Sequence, residues 1–150
     1  MRIVLDNNVL VRAAASPAGP AGSLLPLIVP PHLLLFSSDS FRELSEVLHY
    51  DRVRKLHGLS DEEIGEFLQA IQSASLIVQL PAGPPPRVVP ADEDDDYMVA
   101  TAVHAKAGVL CTRDRHLFDA EVLTYCGAHG VEVMDDIKLL TRLRADAPIE

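Results

Sequence analysis

The hydrophobic positions along the chain fall into two alternating kinds of segment. Short apolar runs with few polar residues predict five buried strands, at 2–5, 33–36, 75–80, 109–111 and 131–134. Between them, apolar residues recur at helical spacing and predict helices at 9–15, 40–48, 60–74, 97–106, 118–128 and 136–144. Strands that alternate with helices in this way indicate an α/β fold with a parallel sheet.

Segments rich in proline, glycine and serine separate these elements. Residues 16–22 have the composition of a loop, and residues 23–29 predict a short helix that Pro26 disfavours. Residues 81–90 contain five prolines and predict a stiff loop before the helix at 97–106. We find no internal repeat, and the chain is expected to form a single domain over 1–150.

Two helices carry a sequence pattern for an N-terminal capping box, in which Ser and a Glu three residues later exchange hydrogen bonds with the backbone. Ser40 with Glu43 predicts one such box, and Ser60 with Glu63 predicts the other.

Composition narrows the class of protein. The 150 residues include 48% hydrophobic ones, which excludes a disordered chain, and no apolar run approaches the length of a membrane span. The N-terminus lacks the pattern of a signal peptide, and the two cysteines form no metal-binding or disulfide motif, so a cytoplasmic protein is expected. A net charge of −9 argues against nucleic-acid binding by phosphate neutralisation alone.

Acidic residues recur where predicted strands end or the following helices begin. Asp6 follows the first strand, Asp114 follows the fourth, and Asp95 lies at the start of a helix. Glu43 lies one turn into the helix after the second strand. Ligands of open α/β sheets bind at the carboxyl ends of the strands, so these four carboxylates are expected to converge there.

Four carboxylates in one place repel one another and raise each other's pKa, and a divalent cation removes that repulsion. Ligands that are all oxygen favour hard cations such as Mg²⁺ or Mn²⁺, which activate water and stabilise a leaving oxygen. This is the chemistry of phosphodiester hydrolysis. Each acid also has a structural alternative: Asp6 and Asp114 as helix caps, Glu43 as part of its capping box, and the 92–96 run as a solvated helix start.

The joint pattern resembles the PIN-domain ribonuclease family. The resemblance is carried by four segments in order, Leu5–Val11, Glu43–Leu48, Asp92–Ala102 and Thr112–Asp114. The segment Ser16–Pro20 is similar to the group within the family that comprises toxins of toxin–antitoxin pairs. The resemblance implies a three-layer α/β/α sandwich with a central parallel sheet. It also implies a Mg²⁺- or Mn²⁺-dependent endoribonuclease that cuts RNA, pairs with an antitoxin protein and forms a homodimer.

Carried over position by position, the catalytic and metal-binding acids would be Asp6, Glu43, Asp95 and Asp114. Asp95 is chosen because the family places an acid four residues before an Ala-rich stretch that matches 99–102. The neighbouring acids Asp92, Asp94 and Asp96 remain alternatives to Asp95, and Glu46 remains an alternative to Glu43.

The resemblance also assigns supporting roles. Asn8 would hold the Asp6 loop in place, and the Thr112 hydroxyl would orient metal or water. Arg113 would contact phosphate or an antitoxin, with a solvated arginine as the structural alternative. Asn7 departs from the threonine that is usual in the family. This departure, the net charge of −9 and the sparse basic surface motivate a second hypothesis, a catalytically silent PIN fold that binds RNA or protein without cutting.

Overall fold

The computed structural model describes residues 1–148. Five strands, β1 to β5, span Arg2–Leu5, Leu33–Ser37, Ser75–Val78, Val109–Cys111 and Glu132–Met134. Eight helices, α1 to α8, span Asn7–Ala15, Pro20–Leu24, Ser38–Leu48, Asp51–His57, Asp61–Ala74, Glu93–His104, Ala120–Ala128 and Asp136–Asp146. Short 3-10 turns lie at Leu25–Leu27 and Arg115–Phe118.

The five strands form one parallel sheet in the order β3-β2-β1-β4-β5. The chain runs outward from β1 to β2 and β3 on one side, and from β4 to β5 on the other. The order therefore reverses between β1 and β4, and ligands of open α/β sheets bind in the crevice at such a switch point. Both strands end together there, since the register pairs Leu5 with Cys111.

Side chains alternate between two cores, one on each face of the sheet. On β1, Ile3 and Leu5 pack with helices α1, α2, α3, α5 and α8, whereas Val4 packs with α6 and α7. The same alternation continues on β4, where Leu110 joins the second core. The fold is therefore the three-layer α/β/α sandwich that the sequence predicts, and β1 is buried on both faces, as its continuous apolar run indicates.

Several element boundaries differ from the sequence prediction. Helix α1 begins at Asn7 and α6 at Glu93, two and four residues earlier than predicted, because polar residues of the first turn carry no apolar periodicity. Residues 20–27 are helical where a loop to residue 22 was predicted; Pro20 stands at the first position of α2, where proline's missing N–H removes no helical bond. Strand β3 ends at Val78 rather than residue 80.

One of the two predicted capping boxes is present. Ser60 and Glu63 exchange both hydrogen bonds at the start of α5, at 3.1 Å each. The other prediction was wrong, because α3 is capped three residues earlier by Ser37, whose hydroxyl accepts from the Ser40 N–H at 3.0 Å. Glu43 is therefore not committed to a cap, and its carboxylate remains available for another role.

In the described part of the chain, no helix combines the length and the apolar character needed to cross a membrane.

Candidate active site

The loops after β1 and β4 meet at the switch point of the sheet. Asp6 directly follows β1, and its backbone N–H donates to the Cys111 carbonyl at the end of β4, at 2.8 Å. Thr112 continues the β4 chain, and its N–H donates to the Met134 carbonyl of β5, at 2.9 Å. The backbone of both loops is therefore fixed by the sheet before any side chain acts.

Asp6 is held by two side-chain donors. The Thr112 hydroxyl donates to Asp6 Oδ2 at 2.8 Å, and Asn8 Nδ2 donates to the same oxygen at 3.3 Å. Burial raises the pKa of Asp6, the Thr112 hydrogen bond opposes that shift, and the nearby Asp114 carboxylate adds to it. Oδ1 of Asp6 takes part in neither of these side-chain bonds, and hydrogen bonds from the Asn7 and Asn8 backbone also lower the pKa of this carboxyl.

Thr112 and Asn8 join the two loops. The fully buried Thr112 hydroxyl accepts the Asp114 N–H at 3.0 Å while it donates to Asp6. Asn8 Oδ1 accepts the Arg113 N–H at 3.3 Å. Each of these two side chains thus bridges the loop after β1 and the loop after β4. The supporting roles expected of Asn8 and Thr112 stay predictions.

Asp95 lies in the first turn of α6 with an unsatisfied carboxyl oxygen. Its Oδ2 is buried and has no hydrogen-bond partner among the described residues. Burial raises the pKa of Asp95 to about 8, and the carboxyl of Asp114, which faces it, adds to the shift, with further repulsion from Asp92 and Asp6. Asp95, Asp114 and Asp6 therefore lie near enough to one another to interact as like charges.

The three acids that surround Asp95 in sequence have other surroundings. Asp96 is buried and points away from this cluster, toward the loop before α6, where it accepts three hydrogen bonds. Asp92 caps α6 by accepting the Asp94 N–H at 2.9 Å. Asp94 is exposed and lines a groove beside α3.

Glu43 lies at the rim of the cluster. Its side chain is exposed on α3 and lines a groove of about 400 Å³ together with Glu46, Asp94 and Tyr97. Partial burial raises the pKa of Glu43, and repulsion from Asp94 and then Asp6 adds to the shift. Glu46 lines the same groove, so the choice between these two glutamates stays a prediction.

Within residues 1–148, no three His, Cys, Asp or Glu side chains lie close enough together to enclose a metal ion in their present rotamers. The cluster nevertheless has the donor chemistry of a hard-cation site, since all its ligating atoms would be oxygens and one of them is buried without a partner. A larger cavity of about 710 Å³ lies between the 79–86 loop and α6, but none of the four predicted acids lines it.

The Arg113 side chain contacts an acid outside the cluster that the sequence analysis did not single out. Its Nη1 donates to Asp136 Oδ1 at 3.1 Å, and Asp136 is fully buried at the start of α8. Arg12 of α1 lies on the other side, with its Nε 3.6 Å from Asp136 Oδ2. The available signal was Asp136 itself, an acid two residues after β5 and therefore at the same edge of the sheet as Asp6 and Asp114.

Comparison with known proteins gives a family match that spans most of the chain. The profile of the PIN domain family matches residues 2–116, which include all the residues predicted for the site. The uncharacterized protein MJ1680 of Methanocaldococcus jannaschii is 29% identical over 121 residues, which cover 78% of this chain and 73% of that protein. No solved structure matches the chain. The chain belongs to the PIN domain family, whose members are in general metal-dependent nucleases.

Proposed function

We propose that this protein is a divalent-metal-dependent endoribonuclease that hydrolyses RNA phosphodiester bonds, and that it is the toxin of a toxin–antitoxin pair. Asp6, Asp95 and Asp114 would hold Mg²⁺ or Mn²⁺, and Glu43 would complete the set from α3. Family membership supports nuclease chemistry in general. The choice of RNA, of the toxin role, and of an antitoxin and a second copy of the chain as partners rests on the sequence resemblance.

The observation that carries this proposal is the unsatisfied carboxyl of Asp95. A buried carboxyl oxygen without a donor, facing a second carboxyl, destabilises the folded state unless a proton or a cation compensates it. Only a few kilocalories per mole separate folded from unfolded proteins, so such an arrangement persists where it serves a function. A cation at this point would neutralise the repulsion among Asp95, Asp114 and Asp6.

The residues around the cluster would prepare it for hydrolysis. When bound, Mg²⁺ or Mn²⁺ supplies the positive charge that activates a water and stabilises negative charge on the phosphate. Thr112 and Asn8 fix the orientation of Asp6, because both donate to the same carboxylate oxygen. Thr112 also fixes the backbone that carries Asp114. Fixed carboxylates need no rearrangement when the substrate arrives, which is the basis of electrostatic preorganisation.

The test is cleavage of a mixed pool of cellular RNA by the purified protein, with Mn²⁺, with Mg²⁺ and with EDTA. We expect fragments with either metal and none with EDTA. The Asp95→Asn variant should cut at least about 10³-fold more slowly, the rate equivalent of several kilocalories per mole of lost charge stabilisation. The matched control is Glu93→Gln, which removes one charge from the neighbouring, solvent-exposed position of α6.

Two results would contradict the nuclease proposal. Equal cleavage with and without EDTA would show that the reaction needs no metal ion. Equal rates for Asp95→Asn and Glu93→Gln would show that Asp95 is not part of the active site. If the folded protein binds Mn²⁺ neither before nor after RNA is added, and cuts nothing, the silent binding module becomes the better hypothesis. The toxin role is tested separately: induced expression should arrest growth of a bacterial host, and Asp95→Asn should relieve the arrest.

A further inference from the structure

Two arginines from different elements share one buried acid at the edge of the sheet that carries the acidic cluster. Asp136 follows β5 and is fully buried at the first position of α8. Arg113 Nη1 lies 3.1 Å from its Oδ1, and Arg12 Nε lies 3.6 Å from its Oδ2. The second distance is an ionic contact without a hydrogen bond, because Oδ2 has no hydrogen-bond partner among the described residues.

The charge of this group exceeds what a structural ion pair needs. One arginine suffices to neutralise a buried aspartate, and a second one leaves the group with one surplus positive charge. The guanidinium side chains are 36% exposed for Arg113 and 49% exposed for Arg12, whereas Asp136 is inaccessible. The surplus charge therefore faces solvent, on a protein whose net charge is −9.

The two arginines border the acidic cluster. Arg113 stands between Thr112 and Asp114 in the loop after β4, and its N–H donates to Asn8 Oδ1. Asn8 and Arg12 are four residues apart on α1 and therefore share one face of that helix. Asn8 in turn donates to Asp6. Because both contact Asp136, Arg12 and Arg113 lie on the β5 side of Asp6 and Asp114.

We infer that Arg12 and Arg113 form a phosphate-binding site for the RNA backbone next to the phosphodiester bond that is cut, and that the buried Asp136 positions both guanidinium groups. This inference rests on the proposed ribonuclease function. Arginine is suited to this role because its planar fork of N–H donors matches the oxygens of a phosphate. Arg113 has directed a single Nη1 bond to Asp136, so donors of its fork remain available toward solvent.

The test is binding of a fluorescein-labelled single-stranded RNA of mixed sequence, followed by fluorescence anisotropy over a range of salt concentrations with Mg²⁺ present. All proteins carry Asp95→Asn, so that the RNA is not cut during the titration. On that background we compare Arg12→Gln, Arg113→Gln and Arg142→Gln. Arg142 is the matched control, because it is 38% exposed and ion-paired to Glu132 at 2.8 Å, at the amino end of β5 and so at the opposite edge of the sheet.

Loss of one phosphate contact lowers the slope of log affinity against log salt by about 0.7 for a single strand. We expect that decrease, with binding about tenfold weaker, for Arg12→Gln and for Arg113→Gln, since a hydrogen bond to a charged group contributes roughly that factor. Arg142→Gln should leave the slope unchanged. Equal slopes for all three variants, or no RNA binding by the background protein, would overturn the phosphate site.

A purely structural role for Arg12 is separated by the conservative variant. Arg12→Lys keeps the positive charge and loses the forked guanidinium group. The variant should therefore retain the salt dependence of RNA binding but bind RNA more weakly than the protein that retains Arg12. If Arg12→Lys, folded by circular dichroism, loses the slope as Arg12→Gln does, the phosphate contact is refuted. None of these outcomes decides metal-dependent cleavage, which is measured on the protein without Asp95→Asn; the two proposals can therefore fail independently.

Discussion

Two adjacent aspartates at the start of α6 meet opposite surroundings. Asp96 is 2% exposed, and its carboxylate accepts the N–H groups of Val88 and Val89 at 2.8 and 2.7 Å and Arg87 Nη1 at 2.6 Å. Asp95 is less buried, yet its Oδ2 has no donor among residues 1–148, and its carboxyl faces that of Asp114. The carboxylate of Asp96 is therefore fully hydrogen-bonded where it lies, whereas the carboxyl of Asp95 faces like charge.

The difference separates a residue that stabilises the fold from one that we propose as a metal ligand. Asp96 fastens the proline-rich loop to the first turn of α6, so its negative charge stabilises the folded chain. That attachment also fixes the helix start from which Asp95 reaches Asp114. The hydrogen bonds of Asp96 thus keep Asp95 close to the like charge of Asp114. Acids with pKa values perturbed in this way are characteristic of functional sites.

The largest expected effect is a loss of stability when Asp96, the hydrogen-bonded aspartate of the two, is replaced. Asp96→Ala leaves the buried N–H of Val89 without an acceptor and Arg87 without its closest partner, so the free energy of unfolding should fall by about 3 kcal/mol. Urea denaturation measures it. Asp94→Ala is the control, because Asp94 is exposed on the same turn and should change stability by less than about 0.5 kcal/mol. Similar losses for both variants would show that the loop attachment is not what stabilises α6.

A smaller effect distinguishes two buried threonine hydroxyls. Thr112→Val removes the bridge between Asp6 and the Asp114 backbone, and cleavage should fall by about 10–100-fold, as for other groups that orient metal ligands. Thr101→Val removes a buried hydroxyl that bonds only the Tyr97 carbonyl of its own helix, at 2.8 Å. Both variants should lower stability by about 1 kcal/mol or less, and only the first should slow cleavage. A rate assay beside thermal unfolding checks this, and equal rates would reject the orienting role of Thr112.

Most of the fold could be predicted from the sequence because buried parallel strands leave a strong signal. The runs that became β1 and β4 are continuous and apolar, and the structure gives the predicted bounds for both. Helix starts were less predictable, since α6 begins among Asp residues whose charges carry no periodicity. The cap of α3 is also hard to predict, because three serines in four residues offer equivalent hydroxyls. The sequence pattern indicates Ser40, whereas the structure has Ser37 as the cap.

Only two kinds of sequence information predict the candidate site: the positions where strands end and the spacing of the family's motifs. These place Asp6 and Asp114 at one edge, and the spacing favours Asp95 over its neighbours. They do not reveal that Asp96 turns back to the loop, because this depends on where 87–89 pass in space. Nor do they pair Arg113 with Asp136, 23 residues apart, since that contact forms only when β5 lies beside β4.

The smallest expected effect is the pH dependence that Asp95, the aspartate without a donor, gives to the free energy of unfolding. The pKa of Asp95 is raised from 3.8 to about 8 in the folded chain without metal, so the folded state keeps a proton that the unfolded state releases. The free energy of unfolding should therefore fall as the pH rises from about 4 to about 8, by about 1–2 kcal/mol once solvent screening of this partly buried carboxyl is allowed for. Asp95→Asn cannot ionise and should lose less stability over the same range. Urea denaturation in EDTA at about pH 5 and pH 8 measures the difference between the two proteins, in which the titration of other groups largely cancels.

Parallel pH profiles for the two proteins would mean that the carboxyl of Asp95 is not destabilised by burial and by its acidic neighbours. If the profiles diverge, Mn²⁺ should restore stability at pH 8 only to the protein that retains Asp95, because a cation that binds the folded state alone stabilises it by mass action.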